Sequence, residues 1–546
     1  MSFKNYRYLF GISAALILTW LVWLNFFSGN QAKPPIVLSR ETTYFAPPGQ
    51  AADTLNFCQL WHAQLEATTK GKANNALPLL KATWPRDQVE DTYTEVHEAL
   101  GGFPIPANKE ELLDEKVIAE VEAWLGQMQG NARANCLPSL TILEARRAPW
   151  KRETIPPLTD WVQRHNETLD LLHQVTLPGG FYCPDPAQLA GNSWVGDHSR
   201  FCSQQITRAA AALEIRAMFR IGTTDLEGAW EDIQSVFALS HLGNCQRSDD
   251  IQERLALRRQ AYHCTLALVT SGNCEESLLR EIDHYLSALP SSRMLLSDAI
   301  LYQRIVAIDA FRRVYSGESR VYLGRYESLR KQGVPRIDLD GNAVLRNMNA
   351  WFDKALTLLA PSNFGDEQHA MTLAQSIARL KGGARERELV SASASERERL
   401  IAANLVTLTE LKQLCILAIG CDGSDVQAEL LRVSIALELF KDTHGRYPNT
   451  LADLGVLADG RRMMDPYTQD VFVYKLRDDG YLLYSVGLNR KDDLGTGGDA
   501  ICGEIRRGEW AIGSGPSSSE EFDIVIRVPI PILEICRPGT SAPDEA

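Results

Sequence analysis

The chain has no G-x-G-x-x-G nucleotide loop, no Walker sequence, no H-E-x-x-H zinc helix and no G-x-S-x-G elbow in its 546 residues. The enzyme classes that depend on those spacings are therefore excluded. It also lacks any block of basic residues, and its formal charge is −13. A nucleic-acid backbone requires a concentrated basic footprint, so no nucleic acid is expected as a partner. With 45% hydrophobic and 23% charged residues the composition is that of ordinary folded domains, enough for two or three, and it neither implies nor excludes catalysis.

What is present begins with residues 9–27 (LFGISAALILTWLVWLNFF), 19 positions without a charge behind Lys4 and Arg7. As a helix this run covers most of a hydrocarbon layer roughly 30 Å thick, with Trp20 and Trp23 approaching the far interface. The expectation is a signal-anchor: a single transmembrane helix, membrane lipid as its partner, an inner or cytoplasmic membrane location, and the bulk of the chain extracytoplasmic. A cleaved signal peptide is the alternative. Ala32 is an adequate last residue for it and Asn30 a poor one two places before.

Eleven cysteines fit an exported chain. Near neighbours such as Cys183 and Cys202, or Cys415 and Cys421, could pair if oxidised; buried free thiols acting as small apolar side chains are the alternative. Composition shifts divide the chain into a cytoplasmic tail 1–8, the transmembrane helix 9–27, a Pro- and Gly-rich linker 28–52, an N-terminal helical region 53–175, an ordered loop or junction 176–205, a central helical array 206–424, a small α+β domain 425–530 and a C-terminal tail 531–546. The fold class expected is mainly α, an irregular array of helical hairpins with the small α+β domain after it and the transmembrane helix before it.

Helical spacing is clear in 109–128, where Leu112, Val117, Val121 and Leu125 share a face. The spacing predicts further helices over 206–221, 225–242, 251–270, 275–289 and 294–315. The stretch 217–233 (AMFRIGTTDLEGAWEDI) resembles a tetratricopeptide-type hairpin, with small residues Gly222, Gly228 and Ala229 where helices must approach, although no strict 34-residue repeat is visible. The run 384–400 alternates Glu and Arg and reads as the wet face of a helix that joins the apolar stretch 401–419. A turn at DGSD after Cys421 is expected to precede a helix over 425–442, with Leu430, Val433, Leu437 and Phe440 on one stripe.

Beyond that helix come the exit Gly445-Arg446-Tyr447-Pro448, the turn Asp465-Pro466, the strands 471–476 and 481–486 joined at Arg477-Asp478-Asp479-Gly480, a Gly/Asp-rich loop, and a closing strand 523–528. This tail resembles the globular part of type II secretion pseudopilins, and more closely the shortened version that ends many planctomycete membrane-anchored proteins of unassigned role. The resemblance covers about 95 of the 546 residues. It implies that the loop binds calcium, with Asp492, Asp493 and Asp499 as carboxylate ligands and carbonyls near Leu494 or Thr496 completing the shell. Oxygen ligands suit that ion; a flexible acidic turn is the alternative. Gln469 departs from the pattern, standing where the Asp-Pro turn usually has glycine, and 500–522 form an insertion. Leu16 also departs, occupying the position of the family's glutamate, so a polymerising pilus subunit is not expected.

Two clusters remain. His241, Cys245, His263, Cys264 and Cys274 are the best soft-metal set, but they lack repeated paired spacing and read as packing residues or disulfides. Asp160, His165, Glu167 and His173 have no nucleophile or orienting partner in sequence and read as polar helix positions. The function expected is a non-catalytic, membrane-tethered extracytoplasmic scaffold or protein-binding module with a protein partner. The alternatives are a noncanonical type II secretion component and a divergent extracytoplasmic hydrolase.

Overall fold

The computed structural model describes residues 39, 41–42, 57–67, 69–84, 91–102, 112–113, 115–127, 138–184, 201–242, 247–316, 340–360, 376–377, 393–459, 463–478, 480–487, 489–495, 524–530 and 533. Within these the chain is mainly α-helical with a small open β-sheet. The N-terminal part contributes α1 (Phe57–Ala67), α2 (Ala76–Thr83), α3 (Asp91–Ala99), α4 (Glu115–Gln127), α5 (Pro138–Ala145) and α6 (Pro156–Leu172). The central series is α7 (Phe201–Gly222), α8 (Leu226–His241), α9 (Ser248–Val269), α10 (Glu276–Ala288) and α11 (Met294–Ser316). Then follow α12 (Gly341–Leu358), α13 (Ala394–Leu408) and the 34-residue α14 (Leu411–His444).

The central helices start and stop where their sequences direct. Asp225 caps α8 by accepting from the Gly228 amide at 3.2 Å, and Asp250 accepts from the Arg247 amide at 3.0 Å at the start of α9. Gly222 ends α7 where a Cβ would lie 2.1 Å from the Trp150 carbonyl oxygen, so the α5–α6 connection crosses the helix end at backbone contact. Val117, Val121 and Leu125 of α4, with Leu112 before it, are buried on one stripe, although α4 itself begins only at Glu115.

The apolar interior forms two large clusters. One joins α4, α6, α7, α8, the later half of α9, α10, the later half of α14 and the sheet. The other joins α1, the start of α9, α11, α12, α13 and the first part of α14. Both α9 and α14 pass from one cluster to the other, between Leu255 and Leu257 and between Cys421 and Val426.

Polar groups mark that crossing. In the connection between α10 and α11, Arg293 donates to both carboxylate oxygens of Asp422 at 2.6 Å, and Asp425 accepts from the Ser291 hydroxyl at 2.6 Å and the Ser292 amide at 2.9 Å. The expected turn at DGSD is therefore helix interior: its aspartates are occupied by the 291–293 segment, and α14 runs straight through them for about 50 Å.

Helix α14 stops at Gly445, whose φ of 71° is left-handed and whose amide donates to the Lys441 carbonyl at 2.7 Å. A 3-10 stretch, Leu451–Ala458, leads to the antiparallel sheet β3 (Val473–Leu476), β4 (Tyr481–Ser485) and β5 (Ile524–Val528), in that spatial order. A further two-residue parallel pairing joins β1 (Ala73–Asn74) to β2 (Gly179–Gly180). In the main sheet Tyr481 and Leu483 pack into the same cluster as Val433 and Leu437 of α14.

The membrane expectation is corrected. No helix among the described residues is long and apolar enough to cross a membrane. Helix α14 has the length, but Asp422, Asp425, Glu429, Arg432, Glu438 and Lys441 interrupt it. The expected span 9–27 lies outside the described residues, and a signal-anchor, a lipid partner and a single-pass location are not carried forward. Most of 28–52 and 185–200, and all of the insertion 500–522, also lie outside them.

Candidate functional site

Of the loop residues expected to bind calcium, Asp492, Asp493 and Leu494 are described, whereas Thr496 and Asp499 lie outside the described residues. Asp492 Oδ1 accepts from the Tyr484 hydroxyl and from the Leu494 amide, both at 2.8 Å. Lys475 donates to that same Tyr484 hydroxyl at 2.7 Å, and its ammonium stands 5.0 Å from the ring centroid. The Tyr484 hydroxyl holds the Asp492 carboxyl below its ordinary range. Asp493 Oδ2 accepts from the Asn489 side-chain amide at 2.8 Å, and Arg527 donates to the Gly495 carbonyl. Each of the two described carboxylates therefore has at least one oxygen engaged by protein donors.

The turn before the sheet supports the same loop. Asp465 is buried and accepts from the Tyr467 amide at 3.0 Å and the Val486 amide at 2.9 Å, tying the Asp-Pro turn to the end of β4. Gln469, the residue that replaces glycine in that turn, takes the left-handed conformation at φ 67°.

The soft-metal set does not assemble. No group of three or more His, Cys, Asp or Glu side chains that could hold a metal ion occurs among the described residues, and Cys245 lies outside them. Cys264 is a free, buried thiol pushed well up by its burial, and Cys274 is pushed up to about 12 for the same reason. His263 shares a hydrogen bond with the Arg147 carbonyl. Cys202, Cys415 and Cys421 are likewise free thiols. Cys415 and Cys421 stand six residues apart on one helix, about 9 Å along its axis, which a disulfide does not span.

The polar residues of α6 divide. Asp160 and Glu167 are exposed, and His165 is buried with Nδ1 2.9 Å from the Trp161 carbonyl. His173, just past α6, has the orienting partner that its sequence neighbourhood did not reveal. Its Nε2 lies 2.8 Å from Oδ1 of Asp232 on α8. Asp232 is fully buried and also accepts from Arg216 Nη2 at 2.6 Å and Arg220 Nη1 at 3.0 Å, both on α7. Arg216 in turn reaches Asp170 of α6 at 2.7 Å. The carboxylate is thus shared among two guanidinium groups and an imidazole, so the cluster clamps α6, α7 and α8 together. The signal in the sequence was only a polar residue on the inward face of each helix.

No family model, no curated protein and no solved structure matches the chain. The resemblances to pseudopilins, to planctomycete membrane-anchored proteins and to tetratricopeptide hairpins are corrected accordingly. The physical reason lies in α14: the three-stranded sheet packs on the later half of a helix whose first part belongs to the other apolar cluster, so the tail shares its main helix with the helical body.

Proposed function

We propose that the chain is a non-catalytic, helix-rich interaction module whose contact surface lies on its small sheet and the turns that lead into it. Large apolar side chains that stay exposed are the observation that carries this reading. Among the described residues, Val456, Met464, Val471, Leu476 and Leu494 fall within one 39-residue stretch, and only Ile118, Leu177 and Met294 lie elsewhere. Clustered exposed apolar groups rimmed by polar residues mark contact sites, whereas scattered ones do not.

The surroundings suit a protein partner. Strand β3 is an outer strand of its sheet, and Lys475 and Arg477 flank the exposed Leu476. An apolar segment bordered by carboxylates would match that edge. The helical body supplies rigidity through buried ion pairs such as Arg216 with Asp232 and Arg293 with Asp422.

The test compares the full chain with Val471→Asp/Leu476→Asp in co-purification from native extract, with far-ultraviolet circular dichroism confirming that the helix content is kept. Loss of a defined set of proteins from the variant is expected; retention of the whole set would overturn the reading.

A further inference from the structure

Seven arginines are buried among the described residues, and five of them meet a carboxylate: Arg216 with Asp232, Arg293 with Asp422, Arg304 with Asp353, Arg312 with Asp309 and Arg432 with Asp283. Arg254 and Arg258 depart from that pattern. They lie one turn apart on α9, only 3% and 2% exposed, and neither has an ion pair among the described residues. Taking a guanidinium group out of water without an ion-pair partner is unfavourable.

Their polar atoms point to what would meet that cost. Arg258 is fixed by donating from Nε to the Tyr262 hydroxyl at 2.7 Å and from Nη2 to the Pro290 carbonyl at 2.6 Å, which leaves Nη1 buried without a partner. Nε and Nη1 of Arg254 are buried without a partner as well. So is Nε2 of His241, the last residue of α8, which lies within electrostatic reach of Arg258. Four nitrogen positions from three side chains, one at the end of α8 and three on the first half of α9, therefore have no acceptor.

We propose that His241, Arg254 and Arg258 form a phosphate-binding site at this junction. Two guanidinium groups without an ion pair of their own match the charge of a phosphate dianion, and their forks match its oxygens. A neutral His241 contributes one further donor without adding charge. The recognised chemistry is the phosphate group, either free or as a small monoester. This site is distant in the sequence from the contact surface proposed above and does not depend on it.

The test is titration calorimetry of the full chain with inorganic phosphate and, separately, with glycerol phosphate, against chloride at matched ionic strength. Thermal unfolding in the same solutions gives a second readout. Saturable binding of phosphate and a rise in melting temperature that chloride does not reproduce are expected, because a ligand of the folded form stabilises it. Binding of both compounds would indicate a site open to monoesters, and binding of inorganic phosphate alone would indicate the free ion. Arg254→Met should weaken binding at least tenfold. That variant breaks no hydrogen bond of the fold, so it carries the test even if Arg258→Met fails to fold. No saturable binding to the wild type, or equal affinity in Arg254→Met, would overturn the proposal.

Discussion

Arg293 holds both oxygens of Asp422 at 2.6 Å across 129 residues of sequence, with both side chains fully buried. The pair sits where α14 leaves one apolar cluster for the other, beside Asp425 and the Ser291-Ser292 segment that it holds. It thereby fixes the connection between α10 and α11 onto the 34-residue α14.

Asp422→Asn should destabilise the fold by about 3–5 kcal/mol, because it leaves a buried guanidinium without its counter-charge. The double replacement Arg293→Met/Asp422→Leu should recover most of that loss. Urea unfolding followed by circular dichroism separates the two cases; equal losses in both variants would show that the charges are not what matters.

Acid should destabilise the chain through His241. Burial first, and Arg258 second, lower its pKa to about 3 in the folded state, against about 6.5 when unfolded. The stability contributed by the neutral ring is complete above about pH 6.5 and is lost as pH falls toward 3, because the unfolded chain takes up the proton first. The expected slope from this group is about 1.4 kcal/mol per pH unit, and His241→Gln should remove it. Unfolding midpoints measured from neutral to mildly acidic pH check the difference between the two proteins.

Gly222→Ala should cost about 1–3 kcal/mol, since the added carbon meets the Trp150 backbone rather than a movable side chain. The thermal midpoint of the full chain reads this directly. Gly71→Asn serves as a control, because nothing lies within 4 Å of the added carbon and asparagine tolerates its positive φ.

Gln469→Gly should stabilise the turn at 465–470 by about 0.5–1 kcal/mol by relieving a left-handed glutamine. Slower hydrogen exchange at the Val486 amide, which donates to Asp465, is the expected signature.

Much of the helical architecture was legible in the sequence. The spacing of Val117, Val121 and Leu125 placed the buried stripe of α4, and Gly445 marked the end of α14. Such features depend on neighbours within a few turns. The DGSD segment misled for the opposite reason: its residues favour turns locally, but Asp422 and Asp425 find partners more than 130 residues away on average, at 291–293. His173 and Asp232, 59 residues apart, and the buried arginines of α9 were hidden in the same way, because a charged residue in a helical pattern reads as solvated until its neighbours are known. In the acidic loop, the clustering of Asp492 and Asp493 was visible, but the donors on them, Tyr484 and Asn489, were not.

The most direct test of the proposed contact surface is site-specific photocross-linking in native extract, with the probe placed at Leu476 on the sheet or at Ile118 on the helical body, both exposed. A discrete protein adduct from Leu476 that is absent from Ile118 is the result the account predicts. The same adducts from both positions, or none from Leu476, would contradict it.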